Sequence, residues 1–156
     1  MKYGHSPEEL LNMIIRIEKN GILHAIIIDS AFSKPGVNFI TPNESSLQIG
    51  YISQPTGKSI KAHYHKKTTR TIYYTNEVII LKRGRLRVDF YDNQREYFES
   101  YILKTGDVIL LESGGHGFEV LEDVEMVEVK QGPYVEDHDK ERFEGIKDED
   151  VILKNE

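Results

Sequence analysis

The chain contains no cysteine. That excludes a disulfide framework and every thiolate metal site, so a bound metal has only histidine nitrogen and carboxylate or other oxygen donors to draw on. Long apolar runs are missing as well. No stretch approaches the roughly 20 apolar residues of a membrane span, and the opening MKYGHSPEELLNMIIRIEKN lacks the unbroken apolar core of a secretory signal. A soluble, cytoplasmic protein with no membrane partner is therefore expected. A basic net charge is absent too: the formal charge is −6, which argues against nucleic acid as a partner. Much of that charge is local, because residues 136–150 carry eight acidic and three basic side chains. Such a run near a terminus reads as a solvated helix or an extended arm. No internal repeat or low-complexity segment stands out, and 156 residues make one ordinary domain, 1–156, able to bury a core unaided.

What is present is mostly β pattern. Ser6-Pro7-Glu8-Glu9 has an N-cap serine, proline at the first helical position and glutamate three residues after the cap; Leu10, Met13, Ile14 and Ile17 then recur at helical spacing. The spacing predicts a helix over 6–20, stopped by Asn20-Gly21. From Ile22 to Pro133 the chain turns to short runs rich in Ile, Val, Tyr and Phe, separated by turn signals such as Pro35-Gly36, Pro55-Thr56-Gly57, Arg83-Gly84, Thr105-Gly106 and Gly114-Gly115. About ten strands are expected, in an all-β jelly roll or closed barrel over 22–133, followed by a helical or extended acidic segment over 134–156.

The run 57–84 raises a chemical question. In a strand His63 and His65 lie on one face, about 7 Å apart at the backbone, and can converge on one ion while Tyr64 points away. Lys61 shares their parity and, facing inward, would need an anionic partner. Leu86, Val88 and Phe90 alternate with Arg85, Arg87 and Asp89, which makes one face of that strand apolar and the other charged, the arginines reading as a solvated outer face. Tyr51, Tyr73, Tyr74 and Tyr101 are candidates for a polar-aromatic pocket of the sort that binds sugars.

These residues fall in a pattern that resembles the cupin superfamily. Gly57 lies six positions before His63, Glu77 lies seven before Gly84, and 106-GDVILLESGGHGF-118 supplies the glycine and histidine of the family's second motif. The spacer 66-KKTTRTIYYTN-76 is longer than the family's usual three or four residues, and Glu112 stands where the second motif often has proline. The resemblance implies a double-stranded β-helix and one divalent transition metal ion (Fe, Mn, Ni, Co or Zn) held by His63, His65, Glu77 and His116, with water, Tyr73 or Tyr74 as alternatives to Glu77. Three imidazoles and a carboxylate suit any of those ions and leave open positions for substrate.

The GGHGF run and 126-MVEVKQGPY-134 are similar to small single-domain cupins of surface-polysaccharide sugar pathways. The resemblance thus implies carbohydrate biosynthesis, with isomerase or epimerase chemistry on a small, sugar-like anion; Lys61, by its strand parity, and Tyr73 and Tyr74, by their residue type, are the expected contacts to it. A non-catalytic binding or sensor domain and an Fe(II)-dependent dioxygenase are the alternatives, since one fold hosts many chemistries. Open sheet edges and an apolar outer face lead to a homodimer as the expected assembly.

Overall fold

The computed structural model describes residues 6–133 and 140–155. The described residues are mostly antiparallel β, 45% strand and 6% helix. The first element, α1, spans Pro7–Asn12. Its start is as the sequence predicts: Ser6 Oγ accepts from the Glu9 amide at 3.2 Å, and the Glu9 carboxylate accepts from the Ser6 amide at 2.6 Å. Its end is not. The helix stops at Asn12, and Ile14–Lys19 form strand β1, paired with β2, Ile22–Ile28. The predicted helix over 6–20 is thereby corrected. Asn20 and Gly21 both have positive φ, 54° and 76°, and form the two-residue connection of a β-hairpin. Ile14, Ile15 and Ile17 are β-branched and favour the strand, where Ile17 becomes fully buried.

Two further strands, β3 (Gly36–Phe39) and β4 (Gly50–Ser53), make a separate two-stranded sheet. Strand β5, Glu77–Tyr91, is the hub of the main sheet. It is followed by β6 (Tyr97–Lys104), β7 (Val108–Leu111) and β8 (Gly115–Lys130). The path β1-β2-β7-β5-β6 is continuous, and β8 pairs with β5 from 77 to 91 along its opposite edge. Eight strands are therefore present among the described residues, not about ten, and the sheets do not close into a barrel. Arg83-Gly84, expected as a turn, lies inside β5. Gly84 has φ +92° and faces the Asp123 carbonyl so closely that a Cβ has no room, and the β5/β8 register shifts on both sides of it. It is a bulge that bends a continuous strand, as glycine permits.

The central strands bury both faces. Ala25, Ile27, Ile79, Leu81, Leu86, Val88, Phe90, Leu103, Ile109 and Leu111 share one apolar cluster with Ile17. Ile26, Ile28 and Leu110 face the other way, onto Phe32 and Ile40, with α1 and the β3–β4 hairpin against them. Each of these side chains other than Ala25 contributes about 1.5–3 kcal/mol by leaving water.

The acidic C-terminal segment, in its described part, is extended. The Ser100 and Lys154 amides donate to the Ile152 and Ser100 carbonyls at 2.9 and 3.0 Å, and Asn155 caps Ile102 through both of its amide groups. Asp148, in a 3-10 turn over Asp148–Asp150, accepts from Arg87 at 2.8 Å, while Arg87 also grips Asp89 at 2.9 Å. Arg87 is thus half-buried beneath this strap and is not the solvated outer residue that alternation alone implies. Residues 134–139 and 156 of the segment lie outside the described residues.

Candidate functional site

At the first residue of β5 the Glu77 side chain is 5% exposed. The residue before it fixes the strand's start. The Asn76 amide donates to Gln131 Oε1 at 2.7 Å, Asn76 Nδ2 donates to the Glu112 carbonyl at 2.7 Å, and Asn76 Oδ1 accepts from Ser46 and from Gln131. These bonds tie the start of β5 to the ends of β7 and β8, so Glu77 enters with its carboxylate aimed inward.

One imidazole and two lysine ammonium groups meet that carboxylate. His116 Nε2 lies 3.3 Å from Oε2, Lys140 Nζ 3.3 Å from Oε1, and Lys130 Nζ 3.7 Å from Oε1. Lys130 is there because β8 places it directly opposite Glu77. Lys140 comes from the C-terminal strap. The hydrogen bond from His116, aided by the charges of His116 and Lys140 and opposed by burial, holds the Glu77 carboxyl down at about 2, far below its usual 4.5.

His116 stands two residues into β8, after a glycine pair that packing demands. Gly114 has φ +74°, and a Cβ on it would meet the Tyr91 carbonyl and lie 2.6 Å from Nδ1 of the buried His24. Tyr91 accepts from the Ile146 amide at 2.8 Å and stacks edge-on against Phe143, ring centroids 5.0 Å apart. The strap is thereby held as part of the wall of an open cavity of about 930 Å³. Its lining includes Tyr73, Tyr74, Glu77, His116, Arg142 and Phe143. Glu112 also lines it and has one carboxylate oxygen buried without a hydrogen-bond partner among the described residues. The site therefore offers one imidazole fixed by a carboxylate, lysine and arginine cations, and aromatic walls.

Of the residues singled out from sequence, Glu77, His116, Tyr73 and Tyr74 come together around this cavity. Lys61, His63 and His65 do not line it. The expectation that they lie on a strand, facing inward, is corrected: residues 54–76 contain no strand, and every residue from 54 to 75 is exposed. The reason is compositional, since 57–71 offers almost no apolar side chain except Ile60 and so has little to bury against a sheet. His63 and His65 still neighbour each other, ring centroids 5.4 Å apart, with His63 Nδ1 3.0 Å from the Lys61 carbonyl. The four expected metal ligands thus form two separate pairs. Among the described residues, no group of three or more histidine and carboxylate side chains is placed to hold a metal ion. A cation beside Glu77 would also meet Lys130 and Lys140, so the donors as arranged do not fit a metal there.

Lys130, Lys140 and Asn76 were not legible as site residues. Lys130 needs the β5/β8 register and Lys140 the path of the strap; neither leaves a local signal in sequence. No helix among the described residues is long and apolar enough to cross a membrane. Searches of protein-family models, curated proteins and solved structures each return no match for this chain.

Proposed function

We propose that the cavity binds a small polar, sugar-like anion and that His116, oriented by Glu77, moves a proton on it, in isomerase or epimerase chemistry. The observation that carries this reading is the 3.3 Å contact between His116 and a buried carboxylate inside a cavity that also presents lysine and arginine. A carboxylate on Nε2–H fixes the imidazole tautomer, which leaves Nδ1 as the ring atom that exchanges a proton. For a hydroxy-carbonyl substrate, His116 takes the proton from the hydroxyl-bearing carbon next to the carbonyl to give an enediolate, Lys140 or Arg142 offsets the charge on oxygen, the hydroxyl proton passes to the former carbonyl oxygen, and His116 returns its proton to the neighbouring carbon. Tyr73 and Tyr74 supply flat, hydroxyl-tipped surfaces suited to a sugar ring.

The test is wash-in of solvent deuterium. A panel of sugar phosphates and nucleotide sugars is incubated with the protein in D₂O and read by mass spectrometry. Exchange into one member, lost in His116→Gln and reduced in Glu77→Gln, supports the reading; binding without exchange would leave a carrier or sensor domain, and neither binding nor exchange across the panel overturns it.

A metal-dependent reading, in which a jelly-roll cupin holds one divalent transition ion for isomerisation or oxygen chemistry, is favoured by the closeness of the His63 and His65 rings. Elemental analysis of untagged protein tests it. The chain is further proposed to act as a homodimer, a reading supported by the edge of β8 that no strand pairs among the described residues.

A further inference from the structure

We infer that the segment 54–74 is an exchange arm: in the homodimer it lies along the open edge of β8 of the second copy. The inference rests on the dimer reading above and names the surfaces that make it.

β8 runs for 16 residues and, among the described residues, pairs only with β5. A long open edge with unpaired amides and carbonyls is a ready template for another strand. This one also carries exposed apolar side chains, including Val120 at 54%, Val129 at 48% and Met126 at 43%. The arm has the matching deficiency. It has no backbone ladder of its own, and it exposes Ile60 at 64% and Tyr64 at 84%. A single extended segment of this kind gains by adding to a sheet edge, where main-chain hydrogen bonds supply affinity and side chains supply selectivity.

Charge chooses the partner. From 58 to 70 the arm carries Lys58, Lys61, Lys66, Lys67 and Arg70 and no acid. From 119 to 128 β8 carries Glu119, Glu122, Asp123, Glu125 and Glu128 and no base. All ten residues are exposed. Glu122 and Glu125 already pair with Arg85 and Arg83, and Glu128 with Lys130, so the acidic excess of β8 is smaller than the basic excess of the arm; opposite sign still favours arm on β8 over arm on arm or β8 on β8, in which like charges would face each other. In a two-fold dimer the contact occurs twice, arm of each copy on β8 of the other. The arm ends in Tyr73 and Tyr74, which line the cavity, so fixing the arm also fixes one wall of the candidate site.

A charge-swap experiment tests this. An arm variant has Lys66→Glu, Lys67→Glu and Arg70→Glu; an edge variant has Glu119→Lys, Asp123→Lys and Glu128→Lys. Circular dichroism checks that each folds, and sedimentation velocity reads association. The wild type should be a dimer. Each variant alone should dissociate, its dimer weakened on the order of tenfold or more. An equimolar mixture should form a heterodimer, because both contacts again pair opposite charges. A monomeric wild type overturns the dimer reading and this inference together. A dimeric wild type whose variants dimerise equally well overturns the exchange alone, and so does a mixture of two folded, monomeric variants that does not associate, the result expected if each arm packs on its own β8.

Discussion

Residues 77–91 and residues 54–75 are neighbours in sequence and opposites in structure. The first is a continuous strand paired on both edges, with Leu86, Val88 and Phe90 at most 1% exposed. The second has no regular structure and is exposed throughout. Composition explains the difference. β5 alternates apolar and charged side chains, which lets one face enter the core while Arg87 and Asp89 neutralise each other on the other. The arm alternates little, carries five bases, and has nothing to set against the conformational entropy of ordering it within a single chain. Chemistry divides the same way. The fixed region builds a carboxylate–imidazole pair with defined geometry, whereas the arm presents its histidines to solvent.

The sharpest way to break this contrast is to cut side chains in both regions. Leu86→Ala should destabilise the fold by about 3 kcal/mol, because it opens a cavity in a fully buried site. Ile60→Ala, in the arm, should change stability of the single chain by less than about 0.5 kcal/mol. Urea unfolding read by circular dichroism measures both, and equal losses would mean that the arm is packed. A comparably large effect, about 3 kcal/mol, is expected for Gly114→Ala. Its φ of +74° disfavours any Cβ, and that Cβ would press on Tyr91 and His24 at the foot of the site.

A smaller effect separates the site from the surface by its response to acid. The Glu77 carboxyl is held at about 2 in the folded protein and has an ordinary value of 4.5. A folded-state value below the unfolded one gives stability that is complete above pH 4.5 and is lost as pH falls toward 2. The contribution is on the order of 2 kcal/mol, reduced by the partial solvent access of the open cavity. Glu77→Gln should therefore lower stability at neutral pH and flatten the decline between those limits; an unchanged acid limb would show that the carboxylate is not paired.

The smallest effect belongs to the arm. Replacing His63 and His65 together by alanine should leave stability within about 0.5 kcal/mol of the parent, since both rings are solvated. On the metal-dependent reading the same change should remove bound zinc or manganese, measured by elemental analysis, and full retention would exclude this pair as its ligands.

How far the sequence carried depended on whether a signal was local. The apolar face of 86–90 and the capping box at Ser6 were legible because period and cap chemistry are local. Leu10, Met13, Ile14 and Ile17 fit a helical stripe, but the same residues contain a β-branched run ending in Asn20-Gly21, and burial of Ile17 decided for the hairpin. Glu77 and His116 were found through motif spacing, although they meet each other and not His63 and His65. The parity that puts those two histidines on one face holds only if the segment is a strand, which needs a partner edge that one chain does not supply. Lys130 and Lys140 were invisible for a different reason: a lysine's role here is set by register across β5 and β8 and by the strap's return, both long-range.

The pairing of Glu77 with His116 is the central claim, and the most direct measurement of it is the carboxyl ¹³C chemical shift of Glu77 followed with pH down to the onset of acid unfolding. The carboxyl should stay ionised below about pH 3 in the wild type and titrate at higher pH in His116→Gln, moving toward the ordinary carboxylate range. A wild-type midpoint near 4.5, unchanged by the substitution, would contradict it.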